Sequence, residues 1–167
     1  MFFHAPAVRS VLAAFLLGVT LPAVAAEPSQ VGTWGLVSYA REDPATGAST
    51  FPWGEKPSGL LLFLADGHMS VVINAQGRQP ASRGEDGFVE KQAKLFQTAT
   101  AYAGTYTVRG STMTVRVEVA GDPGLVGTEL SRELRVDGDL LTIRTQPMKS
   151  LSDGKMYVYA LVWKRRT

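Results

Sequence analysis

The chain has 167 residues, of which 45% are hydrophobic, and this length is sufficient for one domain with a substantial core. It contains no cysteine, which excludes disulfides, thiolate metal sites, a cysteine nucleophile and a lipid-modified cysteine anchor. The formal net charge is only +2, so we do not expect the strongly basic surface that binds nucleic acid.

The opening segment has the three-part layout of a secretory signal peptide. A short, weakly positive start ends at Arg9, residues 10–26 are apolar and end in small side chains, and Glu27 begins a polar stretch. The apolar run is shorter than the roughly 20 residues that a membrane-spanning helix needs. We therefore expect residues 1–26 to be removed during export and residues 27–167 to form one periplasmic or secreted domain.

Removal of this segment leaves a single histidine, His68, because the other one, His4, lies within it. A multi-histidine metal site cannot form, and a histidine-based catalytic triad would depend on this one residue. The sequence also contains no phosphate-binding glycine loop and no G-x-S-x-G nucleophile motif. We therefore expect no metal and no cofactor.

Glycine-containing turns divide the rest of the chain into short strands. Asp66-Gly67 separates two apolar runs, and this dipeptide is typical of a two-residue type I′ hairpin turn. Gly110-Ser111 and Asp137-Gly138 mark similar turns. Between the turns, apolar and polar residues alternate with a period of two, which predicts strands. The eight predicted strands span residues 32–41, 59–65, 68–74, 103–109, 112–119, 128–136, 139–145 and 155–164.

The spacing changes between the third and fourth predicted strands. Apolar residues there recur at helical intervals, from Phe88 to Tyr102, with charged residues outside the stripe. This pattern predicts one amphipathic helix over residues 86–101 that lies against the sheet.

Eight short strands joined mostly by tight turns predict an all-β fold, with one antiparallel sheet closed on itself. Closure removes the exposed edges of the sheet, and an eight-stranded barrel is just wide enough to hold side chains or one small ligand. A flattened sandwich is the alternative architecture.

Short motifs give the chain a family resemblance. Gly32-Thr33-Trp34 resembles the G-x-W signature of lipocalins, and Trp163-Lys164-Arg165 supplies a basic residue of the kind that lipocalins place over that tryptophan. Through Arg165 or Lys164, this implies a cation–π contact on Trp34 at the base of the barrel.

The resemblance is closer to the bacterial and fungal lipocalin-like domain family, and it extends over residues 31–165. Further matching motifs follow in family order: Pro52, Gly54, Pro57 and Gly59; Asp66-Gly67-His68-Met69-Ser70; Tyr102-Ala103-Gly104-Thr105-Tyr106; and Arg132 before Gly138-Asp139-Leu140-Leu141. The resemblance implies an eight-stranded antiparallel lipocalin-like barrel with an internal cavity, and it does not imply one reaction. The family's frequent histidines after Y-x-G-x-Y are replaced here by Val115-Arg116.

Arg132 is the most informative candidate for a binding residue. It alternates with Leu130 and Leu134 and therefore lies on the apolar face of its strand. An unpaired charge there would be costly, so the residue serves either as part of an internal ion pair or hydrogen-bond hub, or in the binding of a carboxylate, enolate or carbonyl oxygen.

Other polar and aromatic residues are weaker candidates for the lining of a cavity. His68, Ser70 and Asn74 share one face of the third predicted strand, and the opposite face, with Met69, is an equal candidate for the interior. The last strand has two apolar faces, which leaves its orientation open as well. The remaining candidate ligand-binding residues are aromatic: Tyr106, Tyr157, Tyr159 and, in the long segment between residues 42 and 58, Trp53, which either closes the barrel mouth or packs locally.

We therefore predict an exported barrel that binds a small, largely apolar or amphipathic molecule with a polar or acidic group. One alternative is a cofactor-free isomerase, cyclase or hydratase in which Arg132 stabilises an oxyanion and His68 or a tyrosine moves a proton. Another is a structural or protein-binding barrel with a filled interior and an exposed apolar patch. The sequence leaves open whether the protein is an enzyme.

Overall fold

The computed structural model describes Met1, residues 29–150 and residues 153–166. Apart from Met1, the predicted signal peptide lies outside the described residues, so its removal stays a prediction. Within these ranges, no helix has the length and apolar character needed to cross a membrane.

The fold is one antiparallel sheet with eight long strands and two strands of only two residues. The strands are β1 (Gly32–Glu42), β2 (Ser49–Thr50), β3 (Ser58–Phe63), β4 (His68–Asn74), β5 (Ala99–Arg109), β6 (Thr112–Ala120), β7 (Glu129–Asp137), β8 (Leu140–Thr145), β9 (Met148–Lys149) and β10 (Met156–Arg165). One helix, α1 (Phe88–Gln97), follows β4, and a single 3-10 turn (Pro123–Leu125) follows β6. The eight strands that the sequence predicts are confirmed.

Pairing between β1 and β10 closes the sheet into a barrel. Each long strand pairs with the next in the chain, and β1 pairs with β3 on one side and with β10 on the other. At Trp34 the two pairings meet, because its partners are Leu61 on β3 and Arg165 on β10. The predicted eight-stranded antiparallel barrel is therefore confirmed, and the alternative of a flattened sandwich is wrong.

The helix lies between β4 and β5 but is shorter than predicted. It ends at Gln97 because residues 99–101, the last of the predicted helix, pair with β4 as the start of β5. None of its residues is buried, and Phe96 and Val89 are exposed. The apolar stripe of the helix is therefore covered only in part, because Phe88 and Leu95 are half-buried whereas Phe96 is exposed.

The turn between β3 and β4 differs from the predicted type I′ turn. In the described residues only glycines have a positive φ, so Gly67 at 90° has no positive-φ neighbour in Asp66. The connection spans Leu64 to Gly67, whose N–H donates to the Leu64 carbonyl over 3.2 Å. The Asp66 carboxylate accepts the N–H of His68 at 3.0 Å, as in an Asx turn.

One end of the barrel is closed by Trp34. Its side chain is fully buried, and its indole Nε1 donates to the Gln30 carbonyl at 2.9 Å. The Arg165 guanidinium lies 4.1 Å from the indole ring and donates to the carbonyls of Ser29 (2.6 Å) and Val31 (2.9 Å). The predicted cation–π contact is confirmed, with Arg165 rather than Lys164 as the cation.

Gly104, in the Y-x-G-x-Y motif, accommodates a bulge between β5 and β6. Ala103 pairs with Val119 but Gly104 pairs with Val117, so β6 contains one extra residue. A Cβ at Gly104 would lie 2.0 Å from the backbone oxygen of Arg116. Glycine is therefore required here for close backbone approach.

Candidate ligand-binding cavity

The barrel interior is hollow at the end opposite Trp34. A cavity of about 390 Å³ lies there. All eight long strands contribute to its walls, which are mostly apolar. Its apolar lining includes Leu61, Met69, Val71, Ile73, Met113, Leu130, Ile143 and Leu161. A pocket of this volume and composition suits a small, largely apolar molecule.

Arg132 lines this cavity from β7, on the inward face that the alternation predicted. It is half-buried, and its Nη1 donates to the backbone carbonyl of its neighbour Ser131 at 2.8 Å. In residues 29–150 and 153–166, no carboxylate lies within ion-pair distance of its guanidinium. The internal ion pair that was the alternative interpretation is therefore not formed within that part of the chain.

Three tyrosines share the cavity with Arg132. The rings of Tyr39 and Tyr159 lie 5.7 Å apart, and Tyr102 lines the opposite wall from β5. Burial raises the pKa of Tyr39 to about 12, with a smaller contribution from Tyr159 and an opposing one from Arg132. Burial also raises the pKa of Tyr102, and Arg132 again opposes it. The hydroxyls of Tyr39 and Tyr102 therefore stay protonated at neutral pH, and both lie within the electrostatic reach of the Arg132 guanidinium.

The polar lining of the cavity consists mainly of hydrogen-bond donors. Besides Arg132 and the tyrosines it contains Thr100, Thr145 and the indole of Trp163. The Thr145 hydroxyl already accepts the backbone N–H of Tyr159 at 3.0 Å. No aspartate, glutamate or histidine of the described ranges lines the cavity. The site therefore favours a guest with acceptor atoms, above all an anion.

Trp53 forms part of the mouth of the cavity. Its indole stacks on the Tyr39 ring, with centroids 4.7 Å apart and planes only 7° from parallel. Gln76 anchors this segment at two points: its N–H donates to the Trp53 carbonyl at 2.9 Å, and its Oε1 accepts the N–H of Lys56 at 3.0 Å. Trp53 thus both lines the cavity and is tied to the chain that follows β4.

Three predicted site residues lie on the outside of the barrel. The inner face of β4 carries Met69, Val71 and Ile73, so His68, Ser70 and Asn74 point away from the cavity. The His68 side chain is 54% exposed, and its Nδ1 lies 3.1 Å from the Asp66 carboxylate. The sequence left open which face of β4 is internal. The structure places the apolar face inside, because burial of apolar side chains is favourable.

Two predicted tyrosines are buried but lie outside the lining. Tyr106 packs against Phe63 near the closed end and donates its hydroxyl to the Leu64 carbonyl at 3.0 Å. Tyr157 donates to the Asp153 carboxylate at 2.7 Å, with the Arg41 guanidinium 4.3 Å from its ring. Of the eight predicted residues, the structure brings Arg132, Tyr159 and Trp53 together in the cavity.

The sequence patterns did not identify Tyr39 and Tyr102 as lining residues. Strict alternation from Trp34 places Tyr39 on the outer face, but β1 is irregular between Leu36 and Ser38, and this shift turns Tyr39 inward. Tyr102 was counted in the apolar stripe of the predicted helix and instead belongs to β5. The Y-x-G-x-Y motif, with its period of two, was the signal that could have placed it on the same face as Tyr106.

Comparison with known proteins agrees with this barrel. Residues 31–166 match the family model described as "Lipocalin-like domain". The chain belongs to the lipocalin-like domain family. This fold generally binds small hydrophobic ligands, and the cavity described above is consistent with that property. A search of curated proteins finds no significant match to this lipocalin-like chain.

Solved structures with a similar fold share little sequence with it. A lipocalin-like protein from Bacteroides uniformis is 14% identical, with a TM-score of 0.43, over 83% of this chain and 100% of that one. Rv2717c from M. tuberculosis is also 14% identical, with a TM-score of 0.37, over 88% of this chain and 99% of that one. Both TM-scores are below 0.5, so neither structure informs the chemistry of this cavity.

Proposed function

We propose that this lipocalin-like protein is exported and binds a small, largely apolar molecule that carries an acidic group. The observation that carries the proposal is Arg132, a half-buried guanidinium in a mostly apolar cavity with no carboxylate partner within the described ranges. Removing a charge from water is costly unless a partner compensates it. An anionic group on the ligand supplies that compensation, and the apolar walls supply most of the affinity.

The protonation of the tyrosines supports binding rather than catalysis. An isomerase or cyclase in this cavity needs a base as well as a donor for the developing oxyanion. The raised pKa values of Tyr39 and Tyr102 make these hydroxyls donors and poor bases. His68, the other proposed proton carrier, is exposed on the outer face. The lining therefore resembles a receptor for an anion more than a catalytic pair.

The alternative of a structural or protein-binding barrel has less support. It requires a filled interior, whereas this barrel contains a cavity of about 390 Å³. Exposed apolar side chains do occur on the outer face, among them Leu60, Val72 and Val119. They are compatible with either function, so the hollow interior is the observation that favours ligand binding.

Export is the part of the proposal that depends on residues 1–26. Expression of the full chain in a Gram-negative host and fractionation of the cells test it. We expect the protein in the periplasmic fraction, with an N-terminus created within residues 25–28. A cytoplasmic protein that still begins at Met1 would contradict the export proposal without affecting ligand binding.

The binding proposal is tested with a rigid apolar acid, 4′-isopropylbiphenyl-4-carboxylate, and its uncharged methyl ester. Titration calorimetry measures both ligands on the wild-type protein, on Arg132→Met and on Arg135→Met, a matched control on the outer face of β7. A hydrogen-bonded charge is worth about 1.5–3 kcal/mol, so the acid is expected to bind at least about tenfold more tightly than the ester. Arg132→Met removes that preference and Arg135→Met retains it.

Equal affinity for acid and ester in the wild-type protein would contradict the assignment of Arg132. Absence of binding by either compound would contradict the choice of a small apolar acid as the ligand class.

A further inference from the structure

Trp163 contains a hydrogen-bond donor that the fold leaves unused. Its indole Nε1 is buried without a hydrogen-bond partner, and it is the one side-chain nitrogen or oxygen in that condition among residues 29–150 and 153–166. The side chain is 1% exposed and lines the cavity. By contrast, the indole of Trp34 donates to the Gln30 carbonyl. A buried donor without an acceptor is destabilising, and native proteins rarely retain one without a use.

The position of Trp163 places this donor deep in the barrel, away from Arg132. Arg132 pairs with Thr145 on β8, whereas Trp163 pairs with Leu141, four residues along the same strand. At the rise per residue of a β-strand, the backbone positions of Thr145 and Leu141 lie roughly 13 Å apart along β8. Of the side chains with donor groups that line the cavity, Arg132 therefore lies nearer the mouth and Trp163 nearer the floor.

The surroundings of Trp163 determine which acceptor suits it. Its cross-strand partners are Leu36 and Leu141, and Leu61 also lines this part of the barrel. A second charge among these side chains would be strongly disfavoured, because none of them can compensate it. A neutral oxygen, such as that of a ketone, ester or ether, can accept the indole N–H without this penalty.

We propose that the natural ligand is an elongated molecule with two acceptors, an acidic group bound by Arg132 and a neutral carbonyl or ether oxygen that accepts the Trp163 Nε1–H. This inference rests on the proposed function. It narrows the ligand class from apolar acids in general to apolar acids that carry a neutral carbonyl or ether oxygen at the opposite end. Trp163 is then a specificity residue, since it distinguishes ligands by their distal oxygen.

Two rigid probes of nearly equal shape test this inference. 4′-Acetylbiphenyl-4-carboxylate has a carbonyl oxygen at the end opposite its acid, whereas 4′-isopropylbiphenyl-4-carboxylate has a methyl group in its place. Titration calorimetry on the wild-type protein is expected to give about fivefold tighter binding of the acetyl probe, the ratio that one ordinary hydrogen bond provides. In Trp163→Phe, which removes the N–H and keeps an aromatic ring, the two probes are expected to bind equally.

A second measurement uses the wild-type protein and does not depend on whether Trp163→Phe folds. In the proton–nitrogen NMR spectrum of the wild-type protein, the Trp163 indole signal is assigned by comparison with Trp53→Phe and Trp34→Phe. The acetyl probe is expected to move this signal downfield, as hydrogen bonding does, and the isopropyl probe is not. This signature reports the bond itself and would not arise from a purely structural role of Trp163.

The outcomes separate this inference from the proposed function. Equal binding of the two acids by the wild-type protein overturns the role of Trp163 while acid recognition by Arg132 stands. The same conclusion follows if Trp163→Phe keeps the preference for the acetyl probe, or if the indole signal responds equally to both. If neither acid binds, both the proposed function and this inference are overturned.

Discussion

Replacement of Arg165 by alanine tests how the closed end of the barrel is held together. The guanidinium of Arg165 covers the fully buried Trp34 at 4.1 Å and donates to two backbone carbonyls of the segment that precedes β1. These contacts join the last strand to residues 29–31, which are distant in the chain. Truncation to alanine removes all of them at once and exposes the indole face.

The magnitude follows from these contacts. A cation–π contact at a partly exposed site contributes about 0.5–1 kcal/mol. A hydrogen bond from a charged donor contributes about 1.5–3 kcal/mol, and the lower value applies because the Arg165 side chain is still 28% exposed. Two such hydrogen bonds and the cation–π contact add to about 3.5–4 kcal/mol, so we expect Arg165→Ala to lower the free energy of unfolding by that amount. For a domain of this size, this lowers Tm by roughly 12 °C.

Urea unfolding monitored by tryptophan fluorescence measures the effect, with two variants as references. Arg165→Lys keeps the charge but loses the planar fork, so we expect a loss of about 1–2 kcal/mol. Lys164→Ala removes an exposed neighbour and is expected to change the stability by less than about 0.5 kcal/mol. If Arg165→Ala and Lys164→Ala cost the same small amount, the reasoning that the guanidinium secures the closed end is refuted.

Two further predictions concern the backbone and the tyrosines. In Gly104→Ala the new Cβ would lie 2.0 Å from the Arg116 carbonyl oxygen. We expect Gly104→Ala to lower the free energy of unfolding, measured in urea, by about 3 kcal/mol. Gly121→Ala is the control and should be nearly neutral, because the nearest atom to its new Cβ is 3.8 Å away. Equal effects of the two substitutions would contradict the bulge geometry. Burial raises the pKa of Tyr39 from its ordinary value of 10.0 to about 12, so the folded state favours the neutral phenol. Tyr39 should therefore leave the free energy of unfolding unchanged below pH 10 and lower it by up to roughly 2–3 kcal/mol between about pH 10 and 12. If Tyr39→Phe shows the same fall over this pH range, other groups cause it.

The strands and the inward position of Arg132 could be predicted from the sequence because both depend on local patterns. A period of two, interrupted by glycine-containing turns, identifies each strand without reference to its partners. On β7 the alternation is regular and one face is clearly apolar, so Arg132 is assigned to that face with no knowledge of the barrel. The resemblance to lipocalins similarly predicted the contact of a C-terminal basic residue with Trp34.

The composition of the cavity depended on pairings between distant parts of the chain. On β4 both faces carry apolar residues, and only the register with β5 turns Met69 inward and His68 outward. On β1 the irregularity that brings Tyr39 into the cavity occurs where the strand pairs with β10, more than 100 residues later. A local pattern defines the two faces of a strand, but closure of the barrel decides which face is inside and where a register shift exchanges them.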